Sequence, residues 1–214
     1  MSRAEASATG SKPGRSSGSS RGAGPVSVRD RVLDTAADLF YREGVRAVGV
    51  DLIVERSGVA KTSLYRHFAT KDDLVVAFLD REDISYWTRW DEIAARTKNE
   101  PGTELEAHLR WIAHDIAGPK YRGCPFLNVA TEFPAADHPA RAVAAKHKAE
   151  LRRRLAALTA QMGARKPGAL ADQIALLIDG AYVNGQLLGK KGSAQSLVPA
   201  ARVLMSATGI ITSP

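Results

Sequence analysis

From Val28 onward, apolar residues recur at intervals of three and four: Val28, Val32, Leu33, Ala36, Leu39 and Phe40 share one helical face, and Gly44 offers a stop. Ser27 precedes the run with Asp30 three places on, the spacing of a capping pair. Two short helices follow, Val50 to Ser57 and Lys61 to His67, separated by Gly58 and Val59. Thr70 with Asp73 then caps a long helix that carries Leu74, Ala77, Phe78 and Ile84 and extends to about Arg96. Beyond it, proline and glycine divide the chain into helices near 102–117, 124–133, 138–162, 168–190 and 194–208. No segment alternates apolar and polar residues between hairpin turns, and no internal repeat is evident, so the pattern predicts an all-α fold.

Composition changes this picture mainly at its start. Residues 1–25 consist almost wholly of Ser, Gly, Ala, Arg and Pro, with no large apolar side chain after Met1 to offset the entropy of ordering them. Four basic residues there (Arg3, Lys12, Arg15, Arg21) face one acid, Glu5, and the segment reads as a disordered basic tail. It is either a solvated leader or an arm that adds contacts to DNA phosphates. The whole chain carries a formal +7 and a pI near 9.7, which assists contact with a polyanion. No export signal and no run of about 18 apolar residues occurs, so a cytoplasmic protein with no membrane partner is expected. The lone cysteine, Cys124, has no partner for an internal disulfide.

The segment LIVERSGVAKTSLYRHF, Leu52 to Phe68, holds the densest chemistry. Ile53, Val59, Leu64 and Phe68 can meet on the inner side of two crossed helices, with Gly58 at the turn where they approach. Lys61, Thr62, Ser63, Tyr65, Arg66 and His67 then face outward, donors crowded on about two turns of a helix that fits a major groove. An ordinary helical hairpin with a solvated face explains any one of these residues but explains the set poorly.

Arg56, Gly58-Val59, Lys61, the run from Ser63 to Phe68, then Lys71 and Leu74 together resemble the TetR family of transcriptional regulators. The resemblance is strong over residues 27–80 and looser beyond. It implies a helix-turn-helix DNA-binding domain over residues 26–72 and an effector-binding and dimerisation domain over 73–214. It further implies a homodimeric repressor, reading a palindromic double-stranded operator and released by a small molecule. Base contacts would fall to Lys61, Thr62 and Ser63, and phosphate contacts to Tyr65, His67 and Lys71. Two departures stand out. Val48 and Gly49 occupy places where the family often has Thr or Ser, and Ala60 stands where a serine often caps the third helix, at a cost of about 1 kcal/mol.

The second half is less explicit. Its candidate effector pocket comprises Trp87, Trp90, Trp111, Phe126, Phe133 and Tyr182, with His114, Asn128 and Asp179 as orienting polar groups. Helical spacing makes most of them equally good core residues. Cys124 precedes Pro125, a residue favoured at the first helical position, so the helix dipole would favour its thiolate. It is a candidate oxidant sensor or a small packed residue. In the late helices, Leu170, Ile174, Leu177, Ile178, Ala181 and Leu188, then Leu197, Ala201, Leu204, Met205 and Thr208, exceed what one chain hides, and the family resemblance implies a four-helix dimer interface there. Gly180, Gly185 and Gly189 suit close backbone packing or a helix end.

Enzymatic readings find little footing. No phosphate-cradling glycine loop, Gly-x-Ser-x-Gly elbow or metal-ligand pair of motifs occurs, and Glu104 with His108 is an isolated helical pair. No cofactor, metal or catalytic residue is expected. A purely architectural DNA binder would not need the roughly 130 residues that follow the reading head.

Overall fold

Local signals set most of the helix ends. The computed structural model describes residues 26–97, 100–189 and 192–208. In chain order these form α1 (Val28–Glu43), α2 (Val50–Ser57), α3 (Lys61–His67), α4 (Lys71–Arg96), α5 (Pro101–Ile116), α6 (Pro125–Glu132), α7 (Pro139–Gln161), α8 (Pro167–Leu188), a 3₁₀ turn (Ser193–Ser196) and α9 (Leu197–Ala207). There is no strand among the described residues, and none of their helices is long and apolar enough to cross a membrane. The basic tail expected over residues 1–25 lies outside the described residues.

Ser27 caps α1 by accepting a hydrogen bond from the Asp30 amide, and Thr70 and Asp73 form a reciprocal capping box at α4. The helices α5 to α8 each begin on a proline, whose fixed φ suits a first turn where no amide donor is needed. Gly58 ends α2 in the left-handed region at φ 63°, yet a side chain there would meet open space. Glycine is required at this turn for its backbone angle and not, as expected from the sequence, for close approach of two helices.

Two cores organise the fold. The first joins α1 to α3 and the N-terminal half of α4 (Leu74, Val75, Phe78, Leu79) with Phe126 and Val129 of α6 and Ala140 and Ala144 of α7. It therefore runs straight through residues 72 and 73, the boundary expected between a DNA-binding head and the rest. The second core joins Trp90 of α4 to α5, α7, α8 and α9 through residues such as Leu109, Leu155, Ile174 and Met205.

Most of the apolar face expected to be surplus belongs to this second core. Leu170, Ile174, Ile178, Ala181, Leu197, Ala201 and Met205 are all buried within the chain, covered by its own helices. What stays exposed is Leu188 (57% exposed) from the expected set, beside a stripe formed by Leu176 (72%), Val183 (46%) and Leu187 (75%) on α8, with Val203 (69%) on α9. Gly180 sits at helical spacing between Leu176 and Val183 and meets nothing. Gly185, on the inner face, is tightly enclosed: a Cβ there would lie 2.1 Å from Cγ2 of Ile116 at the end of α5. Gly185→Ala is accordingly expected to cost about 1–3 kcal/mol in a urea titration at fixed protein concentration. Gly168→Ala, at the open start of the same helix, should be neutral or slightly stabilising.

Candidate DNA interface and effector cavity

The short helix α3 is held mainly by its inward side chains, without a side-chain cap. Leu64 is buried, as are Val59 before it and Phe68 after it, while Ala60 and Gly49, the cap positions of α3 and α2, make no side-chain cap bond. Lys61, Thr62, Tyr65, Arg66 and His67 are exposed, and Ser63 and Lys71 are half-buried. All six residues expected to face DNA thus stand on or beside one outward surface. Lys61 is engaged there: its Nζ donates to Oδ1 of Asp51, at 2.6 Å, across the turn from α2. That hydrogen bond, reinforced by the charge of Asp51, raises the lysine above its ordinary value. Burial lowers Lys71, opposed by the charge of Glu132. Arg29 lies over the Phe68 ring, 5.2 Å from its centre, and adds a cation beside α3.

Behind this surface, α1 is fastened to α6 and to the loop before it. The turn after α1 leaves the amides of Val45 and Arg46 without helical partners, and both donate to the carboxylate of Glu132, at 3.0 and 2.7 Å. Eighty residues after Arg42, the Arg122 guanidinium donates to the Arg42 carbonyl through Nε and Nη2, at 3.2 and 2.8 Å. Tyr41 completes the junction: its hydroxyl donates to the Gly123 carbonyl at 3.1 Å and accepts from the Arg122 amide at 3.0 Å. The sequence marked neither Tyr41 nor Glu132, and Arg122 only as a cation close in sequence to Cys124. Their pairing spans eighty or more residues and leaves no periodic trace.

A cavity of about 380 Å³ opens on the other side of this junction. Glu82, Ser85, Tyr86 and Arg89 of α4 line it, with Trp111 and Asp115 of α5 opposite. The stretch from Tyr121 to Phe126 contributes four more wall residues besides Cys124, and His147 of α7, Tyr182 of α8 and Tyr41 of α1 close it. Of the residues expected to line a pocket, Trp111, Phe126 and Tyr182 do so.

The other six lie elsewhere. Trp90 stacks on His108 in the second core, with centroids 3.6 Å apart, and Trp87 lies under Arg154 while donating from Nε1 to Asp83. Phe133 stacks on His138 at the end of α6, and Asn128 donates to the Arg122 carbonyl. Asp179 pairs with Lys148, and His114 is exposed on α5. Helical spacing marks these side chains as large or polar, but not which of two neighbouring spaces each one enters.

Cys124 is the N-cap residue of α6 and lies on the cavity wall, but it is buried, and burial pushes its thiol up despite Lys148 and the amides of Phe126 and Leu127. The expected thiolate is thus outweighed by desolvation. Arg122, close in sequence, turns its charge to the α1 carbonyl instead.

His147 ties three helices at the cavity floor. Its ring stacks on Phe126 with centroids 3.7 Å apart, and its Nδ1 bonds Oδ1 of Asp83 at 2.7 Å. Burial lowers it to about 4, against the pull of Asp83, and burial lowers His108 to about 3. Both imidazoles are therefore neutral in the folded chain, whereas in the unfolded chain they protonate below about pH 6.5. Between that pH and about 4 the unfolded state binds more protons, so stability falls as pH drops. The denaturation midpoint should decline from pH 7 to pH 4.5, and the decline should be shallower in His147→Gln; an equal slope would show that His147 does not contribute.

A helical reading head joined through a common core to a helical body with an internal cavity defines a DNA-binding transcriptional regulator. The sequence relatives agree. Residues 32–78 match the bacterial regulatory proteins of the tetR family. A TetR-family transcriptional regulator from Streptomyces coelicolor is 30% identical in sequence, with a TM-score of 0.81 over 84% of this chain and 95% of that one. The chain belongs to the TetR family. Among curated relatives, the transcriptional activator FasR of Mycolicibacterium smegmatis is 34% identical over 94 residues, 42% of each chain. The transcriptional repressor KstR of Rhodococcus jostii is 38% identical over 88 residues, 41% of this chain and 38% of that one. The alignments thus span about two fifths of the length of these curated relatives.

Proposed function

We propose that the chain is a cytoplasmic repressor that binds a palindromic operator as a homodimer and lets go when a small molecule fills the cavity. The observation that carries this reading is the junction at α6. Cys124, Pro125 and Phe126 are cavity wall, and Arg122, Gly123 and Glu132 on either side hold the end of α1. An occupant that favours another position of this short helix shifts the reading head with it, and lowers operator affinity by its own preference between the two arrangements. The sign of regulation is the one carried by the repressor KstR, while the activator FasR matches a similar share of the chain.

Dimerisation rests on the exposed stripe. Leu176, Val183 and Leu187 follow one line along α8, and Gly180 between them leaves room for a close partner helix. Two copies related by a twofold axis pair this stripe with itself and present two α3 helices to half-sites about 10 bp apart or a multiple of that. Lys61, Thr62 and Ser63 read bases, Lys61 exchanging Asp51 for DNA, while Tyr65, His67 and Lys71 meet phosphates.

Two measurements test the proposal. Tyr65→Ala should weaken operator binding about tenfold in a gel-shift titration at fixed salt, with the dimer intact; unchanged affinity would remove Tyr65 from the interface. The double variant Leu176→Asp with Leu187→Asp should sediment as a folded monomer and lose most of its operator affinity. A dimer persisting in that variant would place the interface elsewhere.

A further inference from the structure

The cavity joins an apolar body to unbalanced acid. Its rings come from Tyr86, Trp111, Phe126 and Tyr182, and two carboxylates, Glu82 and Asp115, share the wall with a single guanidinium, Arg89. Arg89 is already committed, with Nη1 3.0 Å from Glu92. The arginine beside Glu82 in sequence, Arg81, is likewise drawn away, to Asp34. Among the described residues Glu82 forms no ion pair and no side-chain hydrogen bond, while Asp115 is hydrogen-bonded to the Trp111 side chain and forms no ion pair.

Glu82 is half-buried, and Asp115 stands exposed at the mouth. Desolvation raises both above the ordinary carboxyl value, more than the nearby arginines restore. A buried polar atom points the same way. The Tyr86 hydroxyl, on the wall of the same cavity, is shielded from solvent and makes no well-aligned hydrogen bond, with only the Tyr182 side chain close enough to pair with it weakly. A buried hydroxyl left unsatisfied is costly, and a group bound beside it would satisfy it. His147 supplies no compensating charge, because burial keeps its ring neutral.

From this arrangement, and resting on the effector reading above, we infer that the cavity accepts an organic cation: an aromatic or otherwise apolar body bearing a protonated amine or a quaternary nitrogen, its charge directed to Glu82. Asp115 at the mouth attracts such a compound. The tyrosine and tryptophan faces hold it by stacking and by attraction of the cation to their π-electrons. An N–H on the ligand can donate to the Tyr86 hydroxyl. The chain as a whole carries +7, so the acid in this cavity opposes the general charge of the molecule and discriminates against anions at short range.

The test is calorimetric titration of the full chain, without DNA, against probes that differ in charge. The cations are tetraphenylphosphonium, ethidium and protonated 2-naphthylmethylamine; tetraphenylborate is the anion matched in shape to the first, and triphenylphosphine oxide the neutral compound. At least one cation should bind once per chain, at least tenfold more tightly than either control. The double variant Glu82→Gln with Asp115→Asn should lose at least tenfold of that affinity while keeping the circular dichroism spectrum and operator binding of the parent. Failure of all three cations to bind, equal or tighter binding of the anion or the neutral compound, or undiminished binding in the double variant would overturn the inference.

A gel shift with the bound probe separates this inference from the regulatory reading. A cation that binds through Glu82 without releasing operator DNA leaves the cavity assignment standing and removes effector release. A neutral or anionic probe that binds and releases DNA does the reverse.

Discussion

The structure depends on how the chain deals with two amides that a helix end leaves unpaired. Where α1 stops, Val45 and Arg46 must donate to something, and the carboxylate that accepts both belongs to Glu132, at the far end of α6. Because charge-assisted bonds of this kind are stronger than neutral ones, the requirement welds a remote helix to the entrance of the DNA-binding head. Tyr41 and Arg122 repeat the weld at the opposite end of α6. A helix of eight residues held at both ends by the same neighbour has few ways to move independently of it. The shared core supports the same coupling, since Phe126 and Val129 pack with residues of α1, α3 and α4.

The cavity and this junction use the same short stretch of chain for different purposes. Between Tyr121 and Phe126, backbone carbonyls and amides face α1, while side chains line the cavity. His147 braces the arrangement from α7, because a neutral ring stacked on Phe126 and bonded to Asp83 fixes α6 against α4. Stacking, a buried hydrogen bond and helix capping thus converge on one element. Its position is set by several interactions of moderate strength, a condition under which a ligand can change the balance without unfolding the protein.

Much of the fold was legible in the sequence, because helix ends carry local chemistry. Thr70 with Asp73, the prolines that open α5 to α8, and the glycine after α2 each act within a turn of their own position. The outward set on α3 was legible for the same reason, since Leu64 and Phe68 fix which side of so short a helix faces in. The cavity was legible only in part. Trp111 faces it and Trp90 stacks in the second core, although both lie on amphipathic helices with the same period. Periodicity says that a side chain turns inward but not whether the space it meets is filled. The exposed stripe of α8 was missed apart from Leu188, because that helix has two apolar faces, and the richer one, through Ile174 and Ile178, is spent on the chain's own core. The roles of Tyr41, Arg122 and Glu132 could not be foreseen, since each acts on residues eighty or more positions away.

Helix α3 is anchored by Leu64 with Val59 and Phe68, and receives no side-chain cap at Ala60. Apart from Lys61, which also ties α3 to Asp51 of α2, the side chains that hold the helix are a separate set from those proposed to touch a nucleic acid. Thr62 is exposed and takes no part in anchoring the helix, so a substitution there leaves the packing of Leu64, Val59 and Phe68 in place.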